Sequence, residues 1–126
     1  MSSTRDIPDH VSRFILLGVP SVPYLEAMLL FRNRASTSLS TSEVAGLLYL
    51  PEARAWELIR QLVEARVIEG GDGGWRYAAD APLAQIIEDV AHAYAENLVG
   101  VAKLIHAKSD WRATQFADAF RIRKEN

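Results

Sequence analysis

Pro51 falls between two stretches of helical periodicity and fits inside neither. A proline in a helix interior removes a ladder hydrogen bond, clashes with the preceding turn and biases the residue before it toward extended backbone. The first helix must therefore end near Leu48, and the chain must turn through Tyr49-Leu50. A second helix starts at Pro51 and runs to about Arg66, with Glu52 in its first turn suiting the helix dipole. Upstream, Ser40-Thr41-Ser42-Glu43 has the form of a capping box, in which the Ser40 hydroxyl takes the Glu43 amide and Glu43 reaches back. Downstream, the β-prone runs Val67-Ile68-Glu69 and Trp75-Arg76-Tyr77 flank Gly70-Gly71-Asp72-Gly73-Gly74, a hairpin signal with Asp-Gly at its centre.

The flanks read as helical. Val11, Phe14 and Ile15 give residues 8–18 one apolar face, and Val19-Pro20-Ser21 breaks it. Ser21 is placed to cap a second helix, Val22 to Asn33, with Pro23 in its tolerant first turn and Leu25, Met28, Leu29 and Phe31 on its apolar face. Asn33 to Ser38 is a polar loop. Pro82 is expected to start a long helix reaching about Lys108, roughly 40 Å at 1.5 Å per residue. Ser109 and Asp110 would cap a last helix over 110–122, with Phe116, Ala117 and Phe120 on one face, before a mostly basic tail.

Composition limits what this order of elements can do. The chain has 126 residues, one domain's worth, with 49% hydrophobic residues and no cysteine. Disulfides, thiol nucleophiles and cysteine metal sites are excluded. The formal net charge of −2 excludes an overall basic coat for nucleic acid and leaves only a local patch. The run Phe14-Ile15-Leu16-Leu17-Gly18-Val19 is too short for a membrane span and ends at Pro20, so it reads as core, and the cytoplasm is the expected compartment.

Within residues 40–77 the spacing suits a helix-turn-helix. Ala45 is the small residue needed where the second helix crosses the first. A helical wheel turns Ala55, Ile59 and Leu62 inward, and Ala53, Arg54, Glu57, Arg60, Gln61 and Glu64 outward. Set in a major groove, Arg54 and Arg60 would donate to guanine edges or phosphate, Gln61 would pair with adenine, and Glu57 would accept from cytosine. Ser40, Thr41 and Ser42 at the start of the first helix would hold a phosphate, and Arg76 on the hairpin would reach the minor groove or the backbone.

Three segments carry a family resemblance: Leu39-Ser40-Thr41-Ser42-Glu43-Val44-Ala45, the run Leu58 to Ile68, and Gly73-Gly74-Trp75-Arg76-Tyr77. In these the chain resembles the winged-helix bacterial transcription regulators of the MarR-like and PadR-like kind. Its segments 21–26 and 116–121 are similar to parts of small bacterial winged-helix proteins with no assigned activity. The resemblance implies a mainly α fold with a small β-hairpin wing, a groove-reading second helix and dimerisation through terminal helices. At two positions where such modules commonly carry glycine, the inter-helix turn and the entry to the wing, this chain has Tyr49-Leu50-Pro51 and Arg66.

Charge argues the other way. Arg54, Arg60, Arg66 and Arg76 face six carboxylates in the same stretch, Glu43, Glu52, Glu57, Glu64, Glu69 and Asp72. Affinity for generic DNA comes from phosphate neutralisation, so this module would bind such DNA poorly. A protein partner is the alternative, and an exposed Trp56 on the reading helix would favour it. The apolar stripe Leu83, Ile87, Val90, Tyr94, Leu98, Val101 and Ile105 is expected to line partly the core and partly the seam of a homodimer, spacing two reading helices about one DNA turn apart. Glu88, His92 and Glu96 share a helix face, but one straight helix spreads the outer two over about 12 Å, so no metal is expected. No nucleophile–base pair and no phosphate loop occur, so neither catalysis nor a cofactor is expected.

Overall fold

The computed structural model describes residues 6–71 and 73–107. The helix expected over 110–122, the basic tail and Asp72 lie outside the described residues. The elements run α1 (Asp9–Gly18), α2 (Val22–Asn33), α3 (Thr41–Leu48), α4 (Glu52–Glu64), β1 (Ile68–Gly71), β2 (Gly74–Tyr77) and α5 (Ala81–Glu96). A further apolar helix, α6, covers Leu98–Ala107. The chain is thus mainly helical with one two-stranded antiparallel sheet. Among the described residues no single helix is long and apolar enough to cross a membrane.

Two compact units share these elements. One is Val22–Ala91; the other takes its described residues from 6–21 and 92–107. Helix α2 belongs with the capped helices and the hairpin, and packs on α3, α4 and β2. Its Leu25, Met28 and Phe31 are fully buried. Arg32 at its end grips the Glu88 carboxylate of α5 with both Nε (3.0 Å) and a terminal guanidinium nitrogen. That hydrogen bond holds the Arg32 guanidinium above its ordinary pKa. Burial likewise raises the phenols of Tyr24 and Tyr77.

Helices α3 and α4 end in the same way. The Leu50 amide donates to Ala45 O (2.9 Å) and the Tyr49 amide to Gly46 O (3.4 Å). The Val67 amide donates to Leu62 O and the Arg66 amide to Val63 O, both at 3.0 Å. Each is a Schellman closure, which places its C′ residue, the donor of the shorter of the two bonds in sequence, in the left-handed region, ordinarily a glycine site. Here those residues are Tyr49 (φ 57°) and Arg66 (φ 63°). The two departures from glycine in the sequence are therefore the two left-handed non-glycine residues of the described chain. Tyr49→Gly and Arg66→Gly should each stabilise the fold by about 0.5–1 kcal/mol in denaturant titrations, because the Cβ conflict is removed. A loss of stability in both would contradict these backbone assignments.

Helix α5 begins at Ala81, one residue before the expected Pro82. Asp80 Oδ1 accepts the Leu83 amide (3.0 Å) and caps it. The expected single helix over 82–108 is not formed. The helix stops at Glu96, and Asn97 Oδ1 accepts the Gly100 amide (2.9 Å), starting α6 as a separately capped element. Ile87, Val90, Val101 and Ile105 of the expected dimer stripe are buried within the single chain, while Leu83 and Tyr94 are half-buried. Leu98 alone of the seven is exposed, at 55%. The four buried residues are core, and are not available to a seam.

Candidate nucleic-acid interface

The site is built within the unit Val22–Ala91. Ser40 starts α3 as expected: its hydroxyl accepts the Glu43 amide (3.1 Å) and its own amide donates to Glu43 Oε1 (2.8 Å). Pro51 occupies the capping position of α4, and the Ala55 amide donates to its carbonyl. Ala55, Leu58, Ile59 and Leu62 then turn into the core. Leu58 was not among the residues the wheel turned inward, and it completes that face.

The opposite face of α4 is open. Arg60, Gln61, Glu57 and Glu64 are exposed and Arg54 is half-buried. Together they line a shallow depression of about 310 Å³. No described residue covers it. Arg54 is not a free cation, however: its guanidinium sits 3.2 Å from Glu57 Oε1 one turn on. Arg60 carries the unpaired positive charge of the face.

The hairpin pairs Ile68 with Tyr77, Glu69 with Arg76, Gly70 with Trp75 and Gly71 with Gly74. The glycine run, expected as a turn, supplies both strand ends. Arg76 is exposed beside its cross-strand neighbour Glu69, a pairing that offsets its charge. A third segment joins the sheet at one residue. Leu39 exchanges two backbone hydrogen bonds with Trp75 (2.8 and 2.9 Å). The indole of Trp75 lies 5.7 Å from that of Trp56 on α4, tilted by 58°. Trp56 is itself 45% exposed.

The start of α3 differs from the expected phosphate cradle. The Ser40 hydroxyl and amide are both taken by Glu43. The Ser42 hydroxyl donates to Glu52 Oε2 (2.8 Å). Of the three residues only Thr41 is bonded to neither Glu43 nor Glu52, and those two carboxylates stand at the start of α3 where a phosphate would enter. Glu88 is held by Arg32, and no group of three His, Asp or Glu capable of holding a metal gathers among the described residues. Compared with family models, curated proteins and solved structures, the chain matches none.

Proposed function

We propose that this chain is a winged helix-turn-helix regulator that binds specific DNA sequences as a homodimer in the cytoplasm, with α4 as its reading helix. The reading is supported by the order α2, Leu39 bridge, α3, α4 and hairpin within one compact unit. The observation that carries it is the uncovered polar face of α4. Arg60 and Gln61 present a fork and an amide suited to guanine and adenine edges, and Arg76 stands exposed on the wing. The carboxylates of the same face weaken generic binding and leave affinity to base contacts.

The test starts from a duplex selected on a protein-binding DNA array. On it, Arg60→Ala should lose about 1–3 kcal/mol of binding by fluorescence anisotropy. Sedimentation of the variant should match wild type. Unchanged affinity would remove α4 as the reading helix.

A second reading, a winged-helix module that binds a protein, is favoured by exposed aromatics on the same unit. Trp56 is half open, and Tyr49 is 94% exposed on the inter-helix turn. Trp and Tyr anchor protein interfaces more often than their surface frequency predicts. Under that reading no duplex shows salt-sensitive binding.

A further inference from the structure

A groove of about 460 Å³ runs between the start of α3 and the glycine-rich hairpin. One wall is Ser40, Thr41 and Ser42; the other is Trp75 with the bare backbone of Gly71 and Gly73. Apart from each glycine's chain neighbours, no described heavy atom lies within 4 Å of where a Cβ would sit on Gly71 or Gly73, and neither adds a side chain to that wall. Trp75 passes the surface on to half-exposed Trp56.

The charges at the rim are of one sign. Glu43 is one hydrogen bond from Ser40, and Glu52 one hydrogen bond from Ser42. Neither carboxylate has a described Lys or Arg in ion-pair contact; their printed partners are serine groups. Glu52 and Trp56 lie four residues apart on α4 and so share a helix face. The groove thus has the Trp75 indole in its lining and two carboxylates, each lacking a described ion-pair partner, hydrogen-bonded to serines of its wall. A phosphate is repelled there. A guanidinium or ammonium would be attracted there by both carboxylates and by the Trp75 indole.

We propose that this groove accepts an arginine or lysine side chain from an extended basic segment of a partner protein, a function beyond the DNA reading of α4 and independent of it. The carboxylates supply the charge, Trp75 and Trp56 supply the apolar bed for the side-chain stem, and the glycine backbone lets the segment lie close.

The test uses the full chain without DNA. A blocked nonapeptide carrying three arginines is titrated while tryptophan fluorescence is followed, with the same peptide carrying citrulline as an uncharged isostere. The variant is Glu43→Gln with Glu52→Gln: glutamine keeps both the capping box and the acceptor for Ser42, so the fold is retained. Glu64→Gln, on the α4 depression, is the control for removing a charge elsewhere on the unit. Saturable binding of the arginine peptide is expected, weakened at least tenfold by citrulline and by the double variant, and less than twofold by Glu64→Gln. Equal binding of the citrulline peptide, or an unaffected double variant, overturns the proposal. So does a wild type that ignores the peptide while the double variant gains affinity for duplex DNA, which would make the groove a phosphate-facing surface. The Arg60→Ala experiment reads a different face, so failure of one test leaves the other standing.

Discussion

Gly74→Ala is expected to destabilise the unit Val22–Ala91 by about 2–4 kcal/mol, the sum of a strained backbone and an overpacked contact. Gly74 has φ +136°, and a Cβ there would stand 2.3 Å from the Leu39 carbonyl oxygen and 2.6 Å from its carbon. That oxygen is backbone and accepts the Trp75 amide, so it cannot step aside without breaking the bridge that ties the hairpin to the segment before α3. Two neighbours separate the causes. Gly73 has φ +86° but open space, and should lose only about 1 kcal/mol on substitution by alanine. Gly71 has neither constraint and should change stability by less than about 0.5 kcal/mol. Thermal unfolding of the three variants measures the order. A Gly74→Ala protein as stable as Gly71→Ala would mean that Leu39 does not close on β2, and the orientation of Arg76 and Trp75 would lose its anchor.

What the sequence made legible was local chemistry. The capping box at Ser40–Glu43 is a contact across three residues, and it forms as its residue types require. The stop at Pro51 and the hairpin centred on Asp-Gly are likewise short-range signals. The apolar arc of α4 followed from its period, with Leu58 the one inward residue missed. Long-range commitments were not legible. Arg32 and Glu88 are 56 residues apart, and nothing in either neighbourhood marks the other. Leu39 joins the sheet through one bridge, too short to leave a period.

The break at Asn97 leaves no mark on the sequence pattern, for a different reason. The apolar steps Tyr94, Leu98, Val101 keep helical spacing across it, so periodicity read straight through a residue whose side chain starts a new helix. The candidate site shows the same division. Arg54, Arg60 and Gln61 were placed on the open face by period alone, whereas the allegiance of Ser42 to Glu52, ten residues on, depends on how α3 and α4 pack.

Every functional statement about α4 depends on its rotation about its own axis, and two adjacent residues test that rotation. Leu62 is fully buried, while Val63, 100° further round, is 40% exposed. Leu62→Ala removes three carbons from a packed interior that includes Phe31, Leu58 and Ile59, and should cost about 2–5 kcal/mol. Val63→Ala should cost less than about 1 kcal/mol, since water already reaches the side chain. The contrast is expected in urea-denaturation midpoints at unchanged slope, the sign that stability and not the exposed area has changed. Leu62 also accepts the Val67 amide that closes α4, so the burial of its side chain fixes the helix end as well as its face. A reversed order of the two variants would turn the helix by one residue. Arg60 would then turn inward beside Val63, Trp56 would be carried away from Trp75, and the duplex and the basic segment would both lose the surface assigned to them.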